Sequence, residues 1–210
     1  MWLYCAIIAL AAYLLGGING AIILSRMVYK EDIRELGSKN PGFTNFKRLH
    51  GFGGATVAVM AIDIFKTIIP VLTARIVMDV MFGAPELGAS VALLACMVGH
   101  SFPVWYGFKG GKAVLAYLSG VWFVNWIAGL ICFGVFALLL LTVKYMSLSS
   151  MTFAVLNPIV LLLLGCREPA VLITMSLAAV LVVARHHANI SRLIHGTESK
   201  FSLGGKKDKK

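Results

Sequence analysis

AVLAYLSGVWFVNWIAGLICFGVFALLLLTVKYMSLSSMTFAVLNPIVLLLL, residues 113–164, is the stretch on which the architecture turns. It is nearly continuous apolar sequence, interrupted only at Asn125-Trp126, Lys144–Ser150 and Asn157-Pro158. A helix needs about 20 apolar residues to cross the hydrocarbon core of a bilayer. The stretch is therefore too long for one crossing and has to be divided. How often it crosses decides on which side of a membrane everything after it lies.

The rest of the chain has the same solvent preference. Of 210 residues, 59% are hydrophobic and 13% charged, with a mean hydropathy of +0.86. A soluble domain cannot bury that much apolar surface, so lipid is the solvent of most side chains. Outward from the opening stretch, residues 2–25, 53–74, 87–106 and 169–187 read as further spans. The first has no basic n-region and no A-x-A-like cleavage site, so Met1–Leu24 reads as a retained span rather than a removed signal peptide.

Lysine and arginine then assign the sides, because cationic loops stay cytoplasmic. Loop 26–50 carries Arg26, Lys30, Arg34, Lys39, Lys47 and Arg48, whereas 75–86 has Arg75 beside Asp79 and Glu86. Lys109 and Lys112 bring the chain back inside, and Arg192, Lys200, Lys206, Lys207, Lys209 and Lys210 keep its end there. Gly165–Pro169, with one cation and one acid, reads as external. Passing from inside at 112 to outside at 167 takes an odd number of crossings. Three short spans, 113–126, 128–143 and 150–164, meet that condition, each about 15 residues or roughly 22 Å long. The expectation is an all-α polytopic membrane helix bundle of about seven transmembrane helices, N-terminus outside and C-terminus cytoplasmic. Residues 1–200 form a single domain, and 201–210 are a basic tail expected to be disordered. Five spans, with two middle segments interfacial or re-entrant, satisfy the same parity.

The formal charge of +10 sits in loops, not on a polar face, so the pattern does not fit a nucleic-acid partner. Cys5, Cys96, Cys132 and Cys166 lie far apart without CxxC spacing, which argues against a metal or disulfide framework.

The cytoplasmic side gathers three polar islands. In LGSKNPGFTNFKRLHG, residues 36–51, Ser38, Asn40, Thr44 and Asn45 offer hydroxyls and amides, and Arg48 offers a fork that fits phosphate. In GHSFPVWYGFKGGKA, residues 99–113, Gly110-Gly111-Lys112 precede an apolar helix, where backbone N–H groups and a positive helix end favour an oxyanion. It is not a nucleotide-hydrolysing Walker loop, because Tyr106 and Ala113 stand where Gly and Ser or Thr are needed. In ARHHANISRLIHGTESK, residues 184–200, His186 and Asn189 share a helical face. His186-His187 have no carboxylate or cysteine at ligand spacing, so no metal is expected. Taken singly, each island also reads as an ordinary loop, a cationic anchor or an interfacial histidine. Asp63 and Lys66, three apart within a span, either neutralise each other or mark a functional site.

In order along the chain, these motifs resemble the bacterial acyl-phosphate-dependent glycerol-3-phosphate acyltransferase family over essentially the whole length. Its GS-x-N-x-G-x-TN-x-x-R stretch matches Gly37, Ser38, Asn40, Gly42, Thr44, Asn45 and Arg48, and its D-x-x-K matches Asp63 and Lys66. Its GH-x-FP-…-FKGGK loop matches Gly99, His100, Phe102, Pro103 and Phe108–Lys112. Its RH-x-x-NI-x-RL-x-x-GTE-x-K ending matches Arg185, His186, Asn189, Ile190, Arg192, Leu193, Gly196, Thr197, Glu198 and Lys200. Ala113 departs from the family's usual glycine, and Lys39, Pro41 and Phe43 from its usual small residues.

The resemblance implies acyl transfer from acyl phosphate to the sn-1 hydroxyl of glycerol 3-phosphate, giving lysophosphatidic acid and phosphate, as the first step of phospholipid synthesis. It implies a multi-pass protein of the bacterial cytoplasmic (inner) membrane, with membrane lipids around it, no cofactor and no obligatory oligomer. Ser38, Thr44, Arg48, Gly110, Gly111 and Lys112 are the expected phosphate-holding residues, and the family motifs add Asn45, Lys109 and Glu198 to the substrate-binding set. His186 and Asn189 are the expected catalytic pair, orienting the attacking hydroxyl. No His-x₄-Asp dyad is present, since Trp105, Ala55 and Ser191 follow His100, His50 and His186 at that spacing. A small anion or phosphate-ester transporter and a non-catalytic membrane anchor are the readings from other classes.

Overall fold

The computed structural model describes residues 1–201, and every regular element in it is helical. Helix α1 (Trp2–Gly16) stops at Ile18, and α2 (Gly20–Leu24) restarts with Asn19 as its cap, the Asn19 Oδ1 accepting the Ile22 N–H at 3.0 Å. A π-helical turn, Ser25–Tyr29, completes this first apolar rod. After the loop come α3 (Phe43–His50) and the long α4 (Gly54–Phe82). Pro85 opens α5 (Pro85–Ser101), a position where its missing N–H costs nothing. Helix α6 (Val114–Gly120) runs into a 3₁₀ turn, Val121–Phe123. Asn125 caps α7 (Trp126–Thr142), and α8 (Met146–Leu163) and α9 (Pro169–Arg185) follow. Helix α10 (His187–Ile194) bends away from α9 by 58°.

Among the described residues, four rods are long and apolar enough to cross a membrane: Trp2–Tyr29, Gly54–Phe82, Pro85–Tyr106 and Met146–Leu163. The bent α9–α10 pair makes a fifth if counted as one span. Val114–Phe123 and Trp126–Thr142 are apolar but shorter. The expected span 113–126 is therefore ten helical residues, about 15 Å of rise and half the hydrocarbon thickness.

The boundary expected at 150 also moves. Ser149 and Ser150 donate back to the Tyr145 and Met146 carbonyls at 3.0 and 2.7 Å, so a run that reads as a polar break is absorbed into α8. Asn157-Pro158 likewise lies inside α8, as membrane helices tolerate. The expected tail falls, beyond Phe201, outside the described residues.

Helices α4 and α5 form the centre, and α1 crosses α5 backbone to backbone. A Cβ on Gly16 would collide with the Cys96 main chain, and one on Gly99 with the Tyr13 carbonyl. Such small-residue crossings let membrane helices gain packing energy where no hydrophobic drive exists between them. Outward-facing Leu10, Phe65, Val80, Leu141, Leu163 and Ile173 are well exposed, as a lipid-facing belt requires. One end of the bundle holds a cavity of about 400 Å³ whose lining includes Met1, Gly83, Asn125, Gly165 and Glu168. The polar islands lie at the other end.

Candidate active site

All three islands meet there. Lys112 Nζ donates to Asn189 Oδ1, joining the second island to the third. Arg185, from the end of α9, donates to the Gly110 and Gly111 carbonyls at 2.8 and 3.0 Å. Asn19 Nδ2 holds the Pro41 carbonyl of the first island at 3.1 Å, and Arg48 reaches Ser199 Oγ at 3.4 Å. The Phe201 N–H donates to the Lys144 carbonyl at 2.6 Å, so the C-terminal segment folds back over the turn between α7 and α8.

Glu198 is the brace of this end. Its Oε1 accepts from Ser147 Oγ at 2.7 Å and Asn189 Nδ2 at 2.6 Å, and its Oε2 accepts from Arg192 Nε at 2.6 Å. Burial pushes the carboxyl pKa up, but the bonds from Asn189, Ser147 and Arg192 outweigh it and hold the group below its ordinary value. Glu198, expected as a substrate ligand, thus spends its oxygens on protein donors. Lys112 is partly buried, and burial, followed by the cations Arg192, Arg185 and Arg48 against the opposing Glu198, pulls its pKa down to about 8. His186 is buried at the α9–α10 bend, with Nδ1 2.7 Å from the Val182 carbonyl. A carbonyl only accepts, so the proton belongs to Nδ1 and Nε2 keeps a lone pair.

Two expectations need correction. The Gly110 and Gly111 N–H groups are not available to an anion: they donate to the Ser101 and His100 carbonyls at 3.2 and 3.0 Å. Glycine is needed there for space, since a Cβ on Gly110 would strike the His100 carbonyl and one on Gly111 the His100 ring at Nε2. Asn45 is buried and uses both ends of its amide on the loop backbone, accepting from the Ser38 N–H and donating to the Leu36 carbonyl, each at 3.0 Å. It shapes the first island from within.

The remaining expected ligands lie at the surface of this end. Ser38, Thr44, Arg48 and Lys109 are exposed, and Thr44 and Arg48 are one helical turn apart on α3. Ala113, standing for the family's glycine, adopts φ +57° and keeps the left-handed turn into α6, at a cost of roughly 1 kcal/mol for a residue with a Cβ. The first island is anchored by Arg34, which pairs with Asp32 at 2.6 Å and donates to the Tyr106 carbonyl at 3.0 Å. That guanidinium holds the Asp32 carboxyl well below the usual carboxylate range.

Sequence reasoning left Ser147, Arg34 and the bracing role of Arg185 unassigned. Arg185 carried a signal in its place beside His186. Ser147 carried none, being one of several serines in an apolar run.

Cations, hydroxyls and an acceptor imidazole gathered at one end of a bundle of long apolar helices define the class: an integral membrane protein with a cationic polar site at one end. The chain belongs to the glycerol-3-phosphate acyltransferase family, whose model matches residues 6–196. It is 38% identical to the glycerol-3-phosphate acyltransferase of Syntrophotalea carbinolica over 195 residues, 93% of this chain and 96% of that one. It is 36% identical to that of Finegoldia magna over 200 residues, 95% and 98% of the two chains. Its fold is similar to the crystal structure of PlsY (YgiH), an integral membrane glycerol 3-phosphate acyltransferase. The glycerol 3-phosphate form has a TM-score of 0.83 at 32% identity, covering 94% of this chain and 96% of that one. The lysophosphatidic acid form has a TM-score of 0.77.

Proposed function

We propose that this membrane acyltransferase takes its acyl group from acyl phosphate and delivers it to the sn-1 hydroxyl of glycerol 3-phosphate. The observation that carries the reading is the convergence of Arg48, Lys112 and His186 at one end of the bundle, where a phosphate and a reacting hydroxyl can be held together. The related protein crystallised with glycerol 3-phosphate and with lysophosphatidic acid supports the acceptor and the product.

In this reading Lys112 and Arg48 hold substrate phosphate, with Ser38 and Thr44 adding hydroxyls and Lys109 cationic attraction at the rim. His186 Nε2 accepts a hydrogen bond from the sn-1 hydroxyl, and Asn189, fixed between Lys112 and Glu198, keeps that end in register. The hydroxyl oxygen attacks the acyl carbon, the bond from that carbon to the phosphate oxygen breaks, and His186 Nε2 takes the proton. Acyl phosphate already carries a good leaving group, so positioning and charge stabilisation suffice and no acyl-enzyme is needed. An apolar groove of about 490 Å³ between α8 and α9, lined by Val155, Pro158, Val180 and Val183, ends at Ala184, two residues before His186. It offers the acyl chain a path from the bilayer.

The same reading takes the chain as seven-crossing in the bacterial inner membrane, N-terminus outside and site on the cytoplasmic face. Met1, Gly83, Asn125 and Gly165 share the end opposite the site, which supports alternating passage even for the short α6. The cationic loops support the orientation.

Purified protein, acyl phosphate and labelled glycerol 3-phosphate should yield labelled lysophosphatidic acid. Turnover with acyl thioesters but none with acyl phosphate refutes the donor. Labelling of single cysteines placed at residues 48 and 109 from the periplasmic side refutes the orientation.

A further inference from the structure

Asp63 and Lys66 are nearly inaccessible in α4, their side chains 2% and 3% exposed. Buried charges within a membrane bundle are costly unless partnered. Lys66 Nζ lies 2.8 Å from Asp63 Oδ1, 2.6 Å from the Ile18 carbonyl and 2.8 Å from His100 Nδ1. Neutralisation by Asp63 alone does not explain the other two contacts. The Ile18 carbonyl belongs to the break between α1 and α2, where the intrahelical ladder stops. An ammonium has donors only, so His100 Nδ1 is the acceptor and the ring proton sits on Nε2, at the end of the ring facing Gly111.

His100 therefore has its ring tethered at one end and packed on the loop at the other. Its own carbonyl also receives the Gly111 N–H. The Pro41 carbonyl, held by Asn19 from the same helix break, lies 3.0 Å from the place a Gly111 Cβ would occupy. The break, the first island and the second island are thus referred to one point, and the next residue along the chain is Lys112.

We propose that His100, held by the buried Asp63–Lys66 pair, is a positioning residue that sets the register of the Gly110–Lys112 loop and so the reach of Lys112 toward substrate phosphate. The proposal rests on the reading that Lys112 grips that phosphate. Lys66 itself, with three acceptors around its ammonium, is a tether and not a second phosphate ligand.

The test is a double-mutant cycle of Gly111→Ala, His100→Ala and the pair, read as KM for glycerol 3-phosphate and kcat, with acyl phosphate saturating. With His100 present, the added methyl should raise KM by about tenfold or more, and kcat should change less. With alanine at 100 the ring contact is gone and only the Pro41 carbonyl at 3.0 Å remains, so the methyl should cost at least about threefold less than it does with His100 present. Equal cost in both backgrounds overturns the proposal, as does wild-type KM in Gly111→Ala. Should His100→Ala fail to purify folded, His100→Asn runs the same cycle, since its amide oxygen keeps an acceptor for Lys66 while removing the ring from Gly111. Wild-type protein inactive with acyl phosphate defeats the reading of the donor, an outcome distinct from an active wild type whose cycle shows no coupling.

Discussion

Titrating Lys112 should switch off the capture of glycerol 3-phosphate at mildly alkaline pH. Burial and the neighbouring Arg192, Arg185 and Arg48 bring its pKa down to about 8. The shift favours the neutral amine, so the cation is present below that pH and lost above it. Roughly nine-tenths of free enzyme carries the charge at about pH 7 and roughly one-tenth at about pH 9. Because kcat/KM follows the free enzyme, it should fall about tenfold over that interval. A guanidinium stays charged throughout, so Lys112→Arg should be flat over the same range, at whatever lower rate its shape allows. Deleting the charge with Lys112→Met should cost about 1.5–3 kcal/mol, ten- to roughly 150-fold in kcat/KM, at about pH 7, and the gap to wild type should narrow about tenfold by about pH 9 as the wild-type amine loses its proton. The assay is the initial rate of lysophosphatidic acid formation from labelled glycerol 3-phosphate at fixed ionic strength, corrected for spontaneous acyl phosphate hydrolysis. A wild-type profile flat through about pH 9, or the same fall in Lys112→Arg, would refute the assignment of the titration to Lys112.

His186→Ala should lower kcat by roughly 10²–10⁴ while the protein stays folded; near-normal turnover would remove the histidine from the chemistry. Glu198→Ala strands the Ser147 and Asn189 donors and should cost about 2 kcal/mol of stability, seen as a lower thermal midpoint in detergent. Arg192 adds little to that because its side chain is 41% exposed and water takes over its hydrogen bond when the carboxylate is gone. Gly110→Ala should damage folding or substrate capture through its clash with the His100 carbonyl, whereas Gly134→Ala in α7, with open space around it, should change stability by less than about 1 kcal/mol. Equal tolerance at the two glycines would contradict the packing described at Gly110.

The bilayer made much of this molecule readable in advance. Length, hydropathy and the placement of Arg48, Lys112 and Arg192 suffice to bring three distant motifs to one end. Hydrogen-bond bookkeeping was not readable. Gly110-Gly111 advertises a site where only glycine fits, but the letters do not say whether its N–H groups face a ligand or, as here, the His100 and Ser101 carbonyls. Asn45 and Glu198 show the same ambiguity: a polar side chain beside a site can touch substrate or hold the residues that do. The serines at 149 and 150 misled for a local reason, because hydroxyls that bond back to their own helix make a polar run compatible with an apolar span. The stop in the first helix after Gly16 had only Gly16-Gly17 and Asn19 to announce it.

That stop bears on how the chain enters the membrane. Asp63 and Lys66 lie about 14 and about 18 Å into α4 at 1.5 Å per residue, and each burdens insertion of that segment by roughly 2.5–3.5 kcal/mol at mid-bilayer. The interrupted end of α1 presents a carbonyl that Lys66 occupies. The earlier segment therefore carries a docking point that eases the partitioning of the later one, and α4 should integrate efficiently only with α1 alongside.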